Sequence, residues 1–279
     1  MDKIEGYINL LFYVIIYRGG NMDFNFKKKY GQNFISDNAL INRIALLVDA
    51  KEDDLIIEIG PGAGALTSKL TSYNSYYLAY EIDTELDQYL SKYTSSKFKI
   101  IYDDFLKRDI KEDIKNIKFN RLFIVGNLPY YITTPIMLKI IDEGLNSYKN
   151  IFMVQKEYGD RLTSSPKSRE YGSITALMDY YYNVKREFIV PKEKFNPQPK
   201  VDSCILSFEA KEREKINETK YKQLVRDAFQ FKRKTLRNNL KGYDLVAIEA
   251  VLNKYGLSLS NRAEEISCET FVDIVKTIF

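Results

Sequence analysis

Leu55-Ile56-Ile57-Glu58-Ile59-Gly60-Pro61-Gly62-Ala63-Gly64-Ala65-Leu66-Thr67 runs from an apolar segment straight into a glycine-rich turn. Leu55–Ile59 has the composition of a strand buried on both faces, as in a parallel sheet. Leu66 and Leu70 then begin a helical face. A glycine-rich turn from strand to helix lets a ligand approach the backbone closely, near the positive end of a helix. A second strand, Tyr77-Leu78-Ala79-Tyr80-Glu81-Ile82-Asp83, ends in acids, and Glu81 lies 21 positions after Gly60. That is close to the ~20-residue offset at which an acid meets ribose hydroxyls in nucleotide-binding α/β folds. The pair points to a ribose-bearing cofactor without choosing it. Gly60-x-Gly62-x-x-Ala65 also satisfies a loose dinucleotide pattern, and a tight βα turn with a helix-capping acid would read the same way.

Two further strand ends extend the pattern. Phe98–Tyr102 stops at Asp103-Asp104, where an acid is either a solvated strand end or an acceptor for an adenine amine. Arg121-Leu122-Phe123-Ile124-Val125-Gly126-Asn127-Leu128-Pro129-Tyr130-Tyr131 is a buried strand that Gly126 is expected to end. Asn127 then presents an amide beyond the strand's carboxyl end, where open α/β sheets bind ligands. Pro129 locks its own φ and pushes Leu128 out of the helical region. An amide, a rigid turn and flat tyrosine rings suit a planar base with an exocyclic amine; a strand-ending turn with two surface tyrosines is the plainer reading.

Composition limits the chemistry. The chain has 279 residues, 45% hydrophobic and 29% charged, with a net charge of +4 and a pI near 8.7. This is an ordinary globular composition, mildly basic and compatible with nucleic acid. With no histidine, Ser-His-Asp and Cys-His catalysis and most catalytic zinc designs are excluded, and no metal is expected. Cys204 and Cys268 sit in apolar patterns that suit buried packing. Carboxylates, amides, tyrosines, backbone dipoles or a cofactor must do the work.

Elsewhere, Asp37 is a candidate N-cap before Ile41, Ile44, Ala45 and Val48 at helical spacing. A helix is expected from Pro135 to Ile141, a strand at Ile151–Val154, a helix from Ser173 to Tyr182, and strands at Lys185–Val190 and Val201–Phe208. Between the last two strands, three prolines stiffen Pro191–Lys200 and present Phe195, either as a hydrophobic plug or as an exposed stacking plate opposite Tyr130. Composition changes near residue 210. Residues 222–241 carry seven basic side chains, Lys222, Arg226, Lys232, Arg233, Lys234, Arg237 and Lys241, against the single acid Asp227, interleaved with Phe229, Phe231 and Leu236. That single-signed run suits contact with a phosphate backbone.

Taken in order, Gly31-Gln32-Asn33-Phe34, Glu58–Gly64, Asn127-Leu128-Pro129-Tyr130, Phe195–Ser203 and Lys234-Thr235-Leu236-Arg237-Asn238-Asn239-Leu240 resemble one family, the small-subunit (16S) ribosomal RNA adenine N6,N6-dimethyltransferases, or KsgA family. The resemblance runs from about Asn25 to the C-terminus. It implies a Rossmann-like class I methyltransferase domain with a mostly parallel seven-stranded sheet and an antiparallel last hairpin, over residues 22–209, and a small all-α domain contacting RNA and the ribosome over 210–279. It implies S-adenosylmethionine contacts at Asn33, Ile35, Gly60, Gly62, Glu81, Asp104 and Asn127. Asn127, Leu128 and Pro129 would bind the target N6, with Tyr130 and Phe195 sandwiching the base; Lys232, Arg233, Lys234 and Arg237 would bind RNA. The implied substrate is a pair of adjacent adenines near the 3′ end of small-subunit rRNA, in an immature small ribosomal subunit. A cytoplasmic monomer working without membrane or metal is expected.

Three rival readings have discriminating tests. A resistance-type enzyme would methylate large-subunit (23S) rRNA; an assembly factor would act mainly by binding; a nicotinamide-dependent dehydrogenase would leave the Asn127–Tyr130 turn unexplained. Residues 1–21 lie outside the family motifs. Their apolar run, Leu10–Tyr17, is too short to span a bilayer and lacks signal-peptide flanks. Arg18-Gly19-Gly20-Asn21 could be a purine-rich ribosome-binding sequence read in frame, which makes Met22 the expected start. Mass spectrometry of the native protein is expected to find Met22 or Asp23 at the N-terminus; a peptide covering Tyr7–Arg18 would reverse that expectation.

Overall fold

The computed structural model describes residues 14–16, 33–35, 37–128 and 132–279, with residues 14–16, 33–35 and 196 described by their backbone. Seven apolar segments form the strands of one sheet: β1 (Leu55–Ile59), β2 (Tyr76–Glu81), β3 (Phe98–Tyr102), β4 (Leu122–Asn127), β5 (Lys149–Gln155), β6 (Tyr182–Val190) and β7 (Ser203–Ala210). Their spatial order is β3-β2-β1-β4-β5-β7-β6. The first five are mutually parallel, and β7 runs antiparallel to β5. Every residue of β1 is buried, as expected for a central strand covered on both faces. Chain order reverses between β1 and β4, which opens the ligand crevice of doubly wound sheets at their carboxyl ends.

Helices cover the sheet because their apolar spacing matches it. Asn38–Ala45 starts at Asp37, whose Oδ1 accepts the N–H groups of Ala39 and Leu40 at 2.9 and 3.2 Å. Its Ile41 and Ile44 join Ile56, Leu66, Leu70, Phe123 and Val125 in one buried cluster. At the amino ends of the central strands a single residue ties three strands. Asp54, 2% exposed, accepts from the Arg121 guanidinium at 2.6 Å and from the Arg121 N–H at 3.0 Å, while its carbonyl accepts the Tyr76 N–H at 2.9 Å. Arg121 also lies over the rings of Phe123 and Tyr148.

Strand ends differ from the sequence expectation for local reasons. β2 stops at Glu81 because Asp83 turns to cap a 3-10 turn, accepting the Glu85 N–H at 3.1 Å. Gly126 does not end β4, because β5 continues far enough to pair Met153 with Asn127. A small separate sheet pairs Val14–Ile16 in parallel with Asn33–Ile35, which in turn pairs antiparallel with Phe195-Asn196.

The chain divides into two compact units, Met1–Gly159 with Lys185–Ala210, and Asp160–Val184 with Lys211–Phe279. The second is helical, built around Glu218–Ala228, Leu245–Lys254 and Cys268–Ile278 with Ser173–Tyr181. Tyr221 is fully buried and anchors Ser173–Tyr181, its hydroxyl donating to the Ala176 carbonyl at 2.7 Å. That anchor explains why Asp160–Val184 belongs to this unit, although no break in composition marks it. Among the described residues no helix is long and apolar enough to cross a membrane.

Replacing Arg121 by alanine leaves the Asp54 carboxylate buried without its cation. The substitution is expected to cost about 3 kcal/mol of unfolding free energy, read as a lower urea midpoint; an unchanged midpoint would mean that the pair does not hold the strand ends.

Candidate active site

The Gly60 turn is built from backbone that only glycine adopts without strain. Gly62 sits at φ +59°, and this conformation aims its N–H at Glu81 Oε2, 3.1 Å away. Glu81 Oε1 accepts the Asp83 N–H at 2.9 Å. The carboxyl is 1% exposed. Burial pushes its pKa up to about 7, with the backbone N–H groups of Asp83, Gly62 and Ile82 opposing the shift. Each oxygen thus takes a backbone donor, and these donors orient the carboxyl at the strand end.

Register brings the remaining groups into line. Ile59 pairs with both Tyr80 and Gly126, and Glu81 pairs with Tyr102. The carboxyl ends of β3, β2, β1 and β4 therefore stand side by side, carrying Asp104, Glu81, the Gly60 turn and Asn127 in that order. Three inter-strand steps of ~4.8 Å make a row of about 14 Å. Gly126 permits the closeness of β1 and β4: a Cβ there would lie 2.9 Å from the Ile59 carbonyl oxygen. Asp104 is half-buried and caps Phe105–Lys107, its Oδ1 accepting the Leu106 N–H at 2.9 Å. Asn127 is partly buried at the last position of β4; Leu128 is 2% exposed and donates its N–H to the Met153 carbonyl at 3.1 Å.

Asn33 and Ile35 lie on the small strand that pairs with Phe195-Asn196. Pro129, Tyr130 and Tyr131 lie outside the described residues. Phe195 is not the exposed plate the prolines suggest. It is 5% exposed and belongs to the cluster that includes Ile41, Phe188 and Val190, because its pairing with Ile35 turns the ring inward. Lys232, Arg233, Lys234 and Arg237 are all exposed in the helical unit. Among the described residues no group of His, Cys, Asp or Glu could hold a metal ion.

One carboxylate escaped the sequence reading of the site. Glu58, 3% exposed, accepts from Thr67 Oγ1 at 2.5 Å and Tyr77 OH at 2.6 Å, both on Oε2. It ties the first helical residue after the glycine turn to β1 and β2. An acid within Leu-Ile-Ile-Glu-Ile was the signal: a lone charge in a buried strand must be paired or neutral. Burial pushes its pKa up to about 7, opposed by the two hydroxyl donors.

A family model described as ribosomal RNA adenine dimethylase matches residues 23–279. Among similar proteins, the ribosomal RNA small subunit methyltransferase A of Clostridium acetobutylicum is 36% identical over 264 residues, spanning 92% of this chain and 95% of its own length. The protein of the same name from Bacillus cereus is 38% identical over 265 residues, with 90% of each chain covered. Among solved structures, a dimethyladenosine transferase from Plasmodium falciparum superposes with a TM-score of 0.71 at 21% identity, covering 86% of this chain and 95% of that one. The 23S rRNA methyltransferase ErmE gives 0.67 at 22% identity, covering 88% and 99%. Both structures share the fold.

A buried carboxyl with a raised pKa holds a proton in the folded state that the unfolded chain releases. Its contribution to stability is full below about pH 4.5 and is lost as pH rises to about 7. Glu58→Gln keeps the acceptor for both hydroxyls and removes the titration. Its stability relative to the parent is expected to improve by on the order of 1–3 kcal/mol between pH 5 and pH 8, measured by thermal melts at both values. An equal difference at the two pH values would show that Glu58 stays ionised in the fold.

Proposed function

The chain belongs to the ribosomal RNA adenine dimethylase family, S-adenosylmethionine-dependent enzymes that methylate adenine in rRNA, and we propose that its substrate is the small-subunit (16S) rRNA within an immature small ribosomal subunit. The transfer goes to N6 of two adjacent adenines near the 3′ end, twice each, as a step in subunit maturation in the cytoplasm. What carries this reading is the end-to-end match to relatives named for the small subunit, over 90–92% of this chain. The likeness to the 23S enzyme, at 22% identity, extends to the fold and not to the substrate.

The row of groups at the strand ends fits the cofactor. A buried carboxyl oriented by backbone N–H groups suits ribose hydroxyls, and the left-handed Gly62 backbone leaves no side chain in the way of a nucleoside. Glu81 would hold the ribose and Asp104 the cofactor's adenine amine; Asn33, Ile35, Gly60, Gly62 and Asn127 would complete the contacts. The cofactor, when bound, supplies a methyl group on a positively charged sulfur.

The chain's own residues then position the target. An adenine N6 lone pair is delocalised into its ring, so the amine is a weak nucleophile. The Asn127 side-chain oxygen and the neighbouring carbonyls of the Leu128-Pro129 turn would accept its N–H bonds and favour a pyramidal nitrogen facing the methyl donor. Catalysis is then mostly positioning and electrostatics. The alkylated nitrogen is acidic and sheds its proton to water, so no histidine base is required. The target base must be unstacked from RNA, and stacking on Tyr130 and Phe195 would offset that cost by ~1–3 kcal/mol per stacked base. Because Phe195 is buried, its stacking requires the ring to turn out of its cluster on substrate binding. Residues 22–209, apart from the Asp160–Val184 segment that folds with the C-terminal helices, would form the catalytic domain, and 210–279 the part that contacts the particle through Lys232, Arg233, Lys234 and Arg237, in a protein that acts as a monomer.

Purified protein with labelled S-adenosylmethionine is expected to methylate unmethylated small subunits at two adjacent adenines near the 3′ end; product confined to large-subunit RNA would overturn the proposal. Glu81→Ala is expected to weaken cofactor affinity about 10–100-fold, the worth of charge-assisted hydrogen bonds. In the parent, affinity should fall from pH 8 to pH 6 as Glu81 takes up a proton, and calorimetry should find that dependence absent in Glu81→Ala.

A further inference from the structure

Two aromatic rings of the helical unit are left mostly in solvent: Phe279, 52% exposed, which still meets the Tyr243 ring at a centroid distance of 6.2 Å, and Phe231. Phe229 makes ring contacts with Tyr171 and Phe271 at centroid distances of 6.1 Å each, whereas Phe231, two residues on, is 56% exposed. It stands at the head of a tight turn. The Lys234 N–H donates to the Phe231 carbonyl at 2.9 Å, and the Asn239 side-chain amide donates to the carbonyls of Ala228 at 2.6 Å and Phe231 at 3.3 Å. The following helix is fixed in turn: the Leu236 and Arg237 N–H groups donate to the carbonyls of Asn261 and Leu259 at 2.8 and 3.0 Å. Lys232, Arg233, Lys234, Arg237 and Lys241 follow the ring in sequence, all exposed, and among the described residues none of them has an acidic partner.

We propose that the Phe231–Lys234 turn is a single-stranded RNA subsite, in which the Phe231 ring stacks on an unpaired base while Lys232, Arg233, Lys234 and Arg237 hold the adjoining phosphates. This rests on the rRNA reading above and adds a subsite to it. The apolar area is one ring: Leu236 and Leu240 beside it are fully buried, so a protein partner would find no apolar patch to cover. One flat ring among unpaired cations matches one nucleotide, base on ring and phosphate on cation. The turn's hydrogen bonds set the backbone before RNA arrives, so stacking costs only the two χ angles of the ring. A base paired in a duplex already stacks on its neighbours and gains little from the platform, which makes the site selective for unpaired strands.

The test uses the full chain and a fluorescent, adenine-free single-stranded oligocytidylate, which does not probe the adenine pocket, beside a duplex of equal length. Phe231→Ala is expected to weaken single-strand binding about tenfold, with the slope of log affinity against log salt unchanged. Phe231→Tyr should restore affinity, and Phe231→Leu should not. Duplex affinity should move less than about twofold in all three. The triple Lys232→Ala, Arg233→Ala, Lys234→Ala variant should instead flatten the single-strand slope by about 2, from ~0.7 per phosphate contact. Unchanged single-strand affinity in Phe231→Ala, equal loss on the duplex, or Phe231→Leu binding as tightly as Phe231→Tyr would each overturn the subsite. A loss seen on small subunits but not on the oligonucleotide would do the same and assign the ring to a protein surface. Methyl transfer by the parent protein is measured in parallel: its failure would sink the substrate reading while leaving the oligonucleotide comparison to judge Phe231.

Discussion

The structure depends on β1 lying in parallel register between β2 and β4. Ile59 meets Tyr80 on one side and Gly126 on the other. This pairing levels the carboxyl ends of four strands, so that the turns leaving them share one rim. A side chain at Gly126 would press on the Ile59 carbonyl and push the two strands apart at the point where the glycine turn faces Asn127. The Asp54–Arg121 pair secures the opposite end of the same strands. The strands are thus held at both ends, and the crevice between β1 and β4 is a consequence of topology.

Two buried carboxylates lie close in sequence terms to the glycine turn and do different work. Glu58 is met by two side-chain hydroxyls on one oxygen, which fixes the start of the helix after the turn. Glu81 is met by a backbone N–H on each oxygen, which orients the carboxyl at the strand end. Both have raised pKa values for the same reason, burial. The chemistry of the partners, not the degree of burial, separates a structural carboxyl from one suited to a ligand.

The helical unit supplies a different kind of surface. Its core is apolar and tightly tied, with Tyr221 and Phe271 fully buried. The connection between Glu218–Ala228 and Leu236–Asn239 carries charge of one sign and a solvent-exposed ring. A basic segment drawn from the sequence alone cannot distinguish a solvated helix face from a binding turn. The backbone hydrogen bonds place Phe231 at the head of a turn and not on a helix face.

Much was legible in the chain as a string. Mostly apolar runs marked β1, β2, β4 and β5, because strands buried on both faces have little polar side, whereas β3, with Lys99 in its middle, alternates only weakly. The glycines and the acid 21 residues beyond Gly60 pointed to a ribose-bearing cofactor, because a close backbone approach and a hydroxyl acceptor require those residue types. The motifs from Asn33 to Leu240 indicated the family. Tertiary structure alone decided the rest. It carried β4 through Gly126 to Asn127, since the partner strand sets where a ladder stops. It turned Phe195 inward, since pairing with Ile35, remote in sequence, fixes which way the ring points. It revealed Glu58 as a fastening, because Thr67 and Tyr77 reach it only when helix and strand are already in place. It also placed Asp160–Val184 with the C-terminal helices, since Tyr221 anchors that segment through a hydrogen bond 45 residues away in sequence. Local pattern reports what each segment can become; long-range contacts determine which groups meet, because meeting depends on register and packing that no single segment contains.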